Sequence, residues 1–414
     1  MSVHERPRTG PHDPEARPRG PLGWYLGLSP RGRAGLWLAF VIWLGVGALF
    51  VNWDAMVSDT PRPPAAPPDP SDLVLVVAEG GPGERPAMAL VHRGSRDATV
   101  VLLPPGTVVE VPGLGPKPLV GALREGGPDS LATAVANELQ VRVPKTLIAD
   151  EGRVAGTVDA LGGVTVDVPE TIEVEQERVL RRLYTRGPQR MDGVQFARFL
   201  TLPLPDEPEL DRLTRQDAAW RALLRALANA RGDLGELLAG WRGDVDISAA
   251  ATMLRTVAST PNLQVRSLPV VRQPIPEQQL YRVDPDDIDD VRDRLSSVLT
   301  VRDTRGRRVR LLVGADGVIG PDIGRQLIEA GFRIELTQAA SQPYDDSRVV
   351  IALERRDTMQ ATADRLLQLL GTGRLAYERH DSSYFDATVV VGRDWAAAHG
   401  YPQATPTPPP RRRR

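Results

Sequence analysis

The chain of 414 residues contains no cysteine and only five histidines. The missing cysteine excludes disulfides, thiolate metal sites, iron–sulfur clusters and a cysteine nucleophile. No histidine has a neighbour at metal-ligand spacing, so a histidine-based zinc or iron site is not expected. The sequence also has neither GxSxG nor HExxH, so serine-hydrolase and zincin mechanisms lack support.

Lysine is nearly absent, and the charges almost cancel. Lys117 and Lys145 are the only lysines, and 51 basic residues face 53 acidic ones for a net charge of -2. A nucleic-acid binder needs a strong basic field, which this balance does not supply. Nucleic acid is therefore not an expected partner.

One segment is long and apolar enough to span a membrane. Ala34 to Trp53 is uncharged, and at 1.5 Å per residue it reaches about 30 Å, the thickness of the bilayer hydrocarbon. It has no polar face, as a core helix would, and it is longer than the apolar stretch of a signal peptide. Arginine exceeds acid in residues 1–33, so we expect a cytoplasmic N-terminus and a single-pass protein of the cell membrane, with its bulk outside the cytoplasm.

Strands alternate with helices after this segment, which predicts an α/β fold with helices covering a central sheet. Leu73–Ala78 and Thr99–Leu103 are expected strands, and Asp211–Ala230 is an expected amphipathic helix. The predicted organisation is a disordered arm (1–33), a transmembrane helix (34–53), a Pro-rich linker (54–71), a first α/β domain (72–232), a helical completion or connector (233–306), a small α/β domain (307–396) and a disordered Pro/Arg tail (397–414).

Five segments follow one another in an order that is typical of one family. The densest is Val158–Pro169 (VDALGGVTVDVP), and the others are Leu102–Pro112, Gly126–Pro128, Gly187–Phe199 and Asp211–Gln216. Together they resemble the LytR-CpsA-Psr family of cell-envelope proteins, whose hallmark is a "DALGGV-V-VP" stretch.

The resemblance covers roughly residues 72–230, and residues 307–395 resemble the LytR C-terminal domain that accompanies this family. It implies a membrane-anchored transferase, which moves an anionic glycopolymer from a polyprenyl-pyrophosphate carrier to a peptidoglycan hydroxyl. Such chemistry needs arginines on the pyrophosphate and carboxylates that hold a bridging divalent cation.

The chain departs from the family at the positions that carry this chemistry. Pro105-Gly106 replaces the usual Arg-Asp, Pro86 replaces an Asp after the first strand, and Thr201 and Pro203 replace arginines. Most of the metal-binding acids and half of the arginine clamp are therefore missing, so Mg²⁺ is expected only if the protein is active.

Three residues of the family's "R--RQ" signature survive as Arg212, Arg215 and Gln216. On an ideal helix they form one polar patch beside the apolar stripe. We predict that they bind a pyrophosphate, with Lys117 and Arg124 as additional basic candidates. The alternative is a solvated helix face in an arginine-rich protein.

The sequence leaves three functions open. The first is a catalytically impaired homologue of actinobacterial composition that binds polyprenyl-pyrophosphate-linked wall glycopolymer or supports active paralogues. The second is an active phosphotransferase that attaches glycopolymers to peptidoglycan, with Arg212 and Arg215 as its phosphate clamp. The third is an envelope-related transcriptional regulator, although the arm of residues 1–33 has no helix-turn-helix pattern.

Overall fold

The computed structural model describes residues 72–81, 84–176, 179–204, 207–275, 278–298, 306–314, 320–340, 343–379 and 384–401. All of them belong to one unit, Pro68–Arg414. The predicted arm, transmembrane helix and linker, and all but the first residues of the predicted tail, lie outside the described residues. Within the described ranges, no helix has the length and the apolar character that crossing a bilayer requires.

The N-terminal region, residues 72–298, alternates strands with helices. In chain order its elements are β1 (Leu73–Ala78), β2 (Ala87–Arg93), β3 (Ala98–Leu103), β4 (Val108–Val111), β5 (Gly115–Pro118), α1 (Leu119–Leu139), β6 (Lys145–Ala149), α2 (Glu151–Ala160), β7 (Val164–Val168), β8 (Ile172–Gln176), β9 (Val179–Tyr184), β10 (Gly187–Met191), α3 (Gly193–Thr201), α4 (Glu209–Asn229), α5 (Leu234–Leu237), β11 (Arg242–Gly243), α6 (Ile247–Ala258), β12 (Leu263–Ser267), β13 (Val270–Arg272), β14 (Tyr281–Val283) and α7 (Ile288–Arg294).

Six of these strands form the central sheet, in the order β11-β6-β1-β2-β3-β12. β1 runs parallel to β6 and antiparallel to β2, and β12 is parallel to β3. Every residue of β1 is buried, because Val74 and Val76 face one core while Leu73 and Leu75 face the other. A sheet with helices on both faces needs such continuously apolar strands, so the mixed α/β fold predicted from the sequence is confirmed.

The segment after residue 232 differs from the predicted helical connector. It contains α5, α6 and α7, but also the strands β11, β12, β13 and β14. β12 (LQVRS) pairs in parallel with β3 along its whole length, from Leu263–Ala98 to Ser267–Leu102. β12 is a strand because it pairs with the edge of β3, which would otherwise be open. No local sequence pattern predicts this pairing.

The C-terminal region, residues 306–401, has a sheet and a core of its own. Its elements are β15 (Arg308–Val313), α8 (Gly320–Glu329), β16 (Arg333–Ala339), β17 (Arg348–Ala352), α9 (Arg356–Leu370), β18 (Arg374–Glu378), β19 (Ala387–Val391) and α10 (Arg393–Ala398). The strand order is β16-β15-β19-β17-β18.

Helix α1 joins the two regions. Gly127 has a φ of 73°, which interrupts the helix so that its second half starts at Pro128. In that second half the buried side chain of Asn137 makes two hydrogen bonds to Ile334 of β16. Nδ2 donates to the carbonyl and Oδ1 accepts from the amide, both at 2.8 Å. Ala136 belongs to the C-terminal core, so α1 packs against both sheets.

Candidate functional site

Arg212, Arg215 and Gln216 lie together on the N-terminal half of α4, as their spacing predicts. All three are buried, with exposures of 2%, 3% and 0%. A buried guanidinium must be paired and hydrogen-bonded to remain charged. The partners of these side chains therefore determine what the patch can bind.

The Arg212 guanidinium is held by its own chain. Its Nη2 lies 2.6 Å from Oε1 of Glu209 and 3.3 Å from the carbonyl oxygen of Pro86. Nη1 donates to the carbonyl of Arg85 at 3.4 Å. Burial lowers the pKa of Arg212, and the neighbouring Glu209 carboxylate opposes that effect. The second oxygen of Glu209 accepts from Nη1 of Arg85 at 2.6 Å, so this carboxylate bridges two arginines.

Arg215 is held in the same way by Glu207. Its Nε and Nη2 lie 3.1 and 2.7 Å from the two carboxylate oxygens, which is the bidentate geometry of a strong ion pair. The guanidinium also donates to the carbonyl oxygens of Phe199 and Leu202. Gln216 donates to the Leu200 carbonyl at 3.0 Å. Both guanidinium groups are thus ion-paired with glutamates of the protein, and in the described residues only Nε of Arg212 among their nitrogens is buried without a hydrogen-bond partner.

Thr201, which the sequence resemblance aligns with an arginine of the family, continues the same cluster. Its hydroxyl donates to Oε2 of Glu84 at 2.7 Å, and that oxygen also accepts from the amide of Gly81 at 3.0 Å. We call the six charged residues here the arginine–glutamate cluster: Arg85, Arg212, Arg215, Glu84, Glu207 and Glu209. Its three positive and three negative charges cancel.

Gly106, which the sequence resemblance aligns with an Asp of the family, has no room for a side chain. A Cβ built there would lie closer than 3.0 Å to the carbonyl oxygen of Gln279 and 3.4 Å from the ring of Tyr281. The amide of Tyr281 also donates to the Gly106 carbonyl at 3.1 Å. The segment that leads into β14 therefore closes this position.

The donor set does not fit the divalent cation that the resemblance implies. Pro86 and Gly106 carry no side-chain ligand, and the carboxylates of Glu207 and Glu209 are bound to arginines. In the described part of the chain, no group of three His, Asp or Glu residues is arranged to hold a metal ion.

Lys117 and Arg124 lie elsewhere. Lys117 is on β5, and its Nζ is 2.7 Å from Glu125; Arg124 is exposed in the first half of α1. β5 contacts β16 of the C-terminal region, and within the described residues no hydrogen bond or ion pair joins Lys117 or Arg124 to the cluster. The structure brings three of the five predicted site residues together and leaves these two apart.

Sequence reasoning missed the carboxylates that complete the cluster. Glu209 precedes Arg212 by three residues on one helix, a spacing that signals an ion pair. Glu207 had no such signal, because it pairs with Arg215 from a turn before the helix begins. Gln279 and Tyr281 reach the cluster from more than 60 residues further along the chain.

Comparison with known proteins identifies one family. The model of the LytR_cpsA_psr family matches residues 87–297, just over half of the chain. A search of curated proteins finds no match.

Several solved structures are similar. B. subtilis TagV is 17% identical, with a TM-score of 0.46, and the match covers 55% of this chain and 96% of that one. A LytR-Csp2A-Psr enzyme from Actinomyces oris is 20% identical, with a TM-score of 0.43 and coverage of 54% and 89%. TagT bound to LI-WTA is 17% identical, with a TM-score of 0.45 and coverage of 57% and 94%.

Proposed function

The chain belongs to the LytR_cpsA_psr family, and from that premise we propose that it is a catalytically impaired member that acts in cell-envelope assembly. Its role is to bind a polyprenyl-pyrophosphate-linked wall glycopolymer, or to support active paralogues, without transferring the polymer itself. The observation that carries the proposal is the pairing of both signature arginines with glutamates of the same chain, Arg212 with Glu209 and Arg215 with Glu207.

The pairing bears directly on phosphate binding. An arginine clamp serves a phosphoryl transfer by neutralising charge that develops on the phosphates. Here the carboxylates already neutralise the arginines, so a diphosphate has to displace Glu207 and Glu209 before it reaches Arg212, Arg215 and Gln216. We propose that these three residues hold a lipid diphosphate weakly and do not cleave it.

The sequence also supports a proposal for location and partners. We propose that residues 34–53 anchor the protein in the cell membrane and that the described regions face the outer side. The lipid membrane, the wall glycopolymer or peptidoglycan, and active paralogues are then the partners, and nucleic acid is not. The proposed role requires no metal cofactor.

Calorimetry with geranylgeranyl diphosphate tests the proposal on the full-length protein. We expect weak binding by the wild type and binding at least tenfold tighter by Glu207→Gln, because a charge-assisted bond to phosphate is worth about 1.5–3 kcal/mol. Glu236→Gln, an exposed glutamate on α5, is the matched control and should bind like the wild type. Tight binding by the wild type that Glu207→Gln leaves unchanged would refute the self-neutralised cluster.

A further inference from the structure

A cavity of about 620 Å³ lies between α1 and α8, where the N-terminal and C-terminal regions meet. Such a volume is in the range of small-molecule sites. We call it the α1–α8 cavity, and its polar lining consists of Glu125, Asp129, Ser130 and Thr133 from α1 with Asp322 and Arg325 from α8.

Ser130 has hydrogen-bonding capacity that the protein leaves unused. Its side chain is only 7% exposed, lines the cavity, and makes no hydrogen bond within the described residues. Thr133 donates to the Asp129 carbonyl at 2.7 Å, and its oxygen keeps the capacity to accept. The Ser130 hydroxyl lines the cavity, where it can donate to and accept from the polar groups of a ligand.

The charges around the cavity select against an anion. Glu125 is paired with Lys117 at 2.7 Å, and Asp129 lies 3.4 Å from Arg325. Asp322 is exposed and has no ion-pair partner in the described ranges. The lining therefore keeps one uncompensated negative charge, which repels a phosphate and accepts hydrogen bonds from hydroxyl groups.

An apolar surface completes the cavity, since Pro112, Leu114 and Pro321 also line it. A sugar ring carries hydroxyls around its edge and C–H groups on its faces, which matches a lining of carboxylates, hydroxyls and small apolar side chains. We propose that the α1–α8 cavity binds uncharged sugar units of a wall polysaccharide. The inference rests on the proposed role in handling wall glycans, but the site is separate from the arginine–glutamate cluster.

Calorimetry of the full-length protein with a β-1,4-linked tetrasaccharide of N-acetylglucosamine tests the site. We expect the wild type to bind this sugar and to bind glucose 1-phosphate at least tenfold more weakly, because Asp322 repels the phosphate. Asp322→Asn should weaken binding of the tetrasaccharide about tenfold and Ser130→Ala about fivefold, as expected for one lost hydrogen bond each.

The matched control is Asp293→Asn, an exposed aspartate that lines a second cavity of about 550 Å³ where the two regions meet. It should leave sugar binding unchanged. No binding by the wild type at millimolar sugar, or equal losses in Asp293→Asn and Asp322→Asn, would overturn the site. Turnover of a lipid diphosphate by a protein that binds the sugar would instead overturn the proposed function and leave the site standing.

Discussion

Nη2 of Arg212 lies 2.6 Å from Oε1 of Glu209, and neither side chain is more than 2% exposed. The pair occupies the first turn of α4, next to the backbone of Arg85 and Pro86. Removing one partner of a buried ion pair is strongly destabilising, because the other charge is then left buried without compensation. This ion pair gives a family signature residue a structural role.

We therefore expect Arg212→Ala to destabilise the protein by about 3–5 kcal/mol, because it leaves the Glu209 carboxylate buried with only Arg85 as its partner. Chemical denaturation measures this loss. Arg225→Ala, an exposed arginine on the same helix, should stay within about 0.5 kcal/mol of the wild type. Similar small effects from both changes would mean that Arg212 is not held as described.

A second prediction concerns Gly106, where the backbone of Gln279 leaves no room for a side chain. We expect Gly106→Ala to cost about 1–3 kcal/mol, because the new methyl group overlaps the Gln279 carbonyl. At Gly156, inside α2, a Cβ meets nothing within 4 Å, and Gly156→Ala should stabilise the protein by up to about 1 kcal/mol. Thermal unfolding of both variants measures the two changes in stability, which should have opposite signs. A stabilising effect of Gly106→Ala would contradict the prediction.

We expect the stability of the protein to depend on pH through Glu110 on β4. Its Oε1 accepts from the Thr337 amide at 2.6 Å, and burial raises its pKa from 4.5 to about 7, with repulsion from Glu335 adding to the effect. A raised carboxyl pKa means that the native state holds a proton that the unfolded state has lost. The contribution of Glu110 to the free energy of unfolding is therefore fully present below pH 4.5 and is lost as the pH rises to about 7.

Glu110→Gln removes this titration and keeps an oxygen that accepts from Thr337. We expect the free energy of unfolding to fall less between pH 5 and pH 7.5 in this variant than in the wild type. Glu329→Gln, at an exposed position on α8, should keep the wild-type slope. Parallel pH profiles for Glu110→Gln and the wild type would contradict the assignment.

The hydrogen bonds of Asn137 allow the junction between the N-terminal and C-terminal regions to be tested. Asn137→Asp replaces the amide that donates to Ile334 with a buried charge, and we expect it to cost about 3 kcal/mol. Hydrogen exchange of the β16 amides should accelerate accordingly. Asn229→Asp, on the exposed face of α4, should leave those amides unchanged, and equal protection of β16 in both variants would be the contrary result.

The sequence predicts the elements that a local pattern defines. Leu73–Ala78 is continuously apolar and forms a central strand, and the spacing of Arg212, Arg215 and Gln216 on one helix is correct. The pairing of Arg85 with Glu209 joins residues 124 positions apart, and Tyr281 covers Gly106 from a still more distant strand. No sequence periodicity predicts contacts between residues so far apart. The pairing of the arginines with glutamates and the cover over Gly106 are therefore visible only in the structure.

We propose that this family member does not carry out phosphoryl transfer. The most direct measurement is release of phosphate from geranylgeranyl diphosphate by the purified full-length protein with Mg²⁺, beside an active family member under identical conditions. We predict no release above the protein-free blank, with or without the metal, because Glu207 and Glu209 neutralise the arginines and because Pro86 and Gly106 occupy the positions that the sequence resemblance aligns with family acids. Metal-dependent release at a rate comparable to that of the active relative would contradict the account.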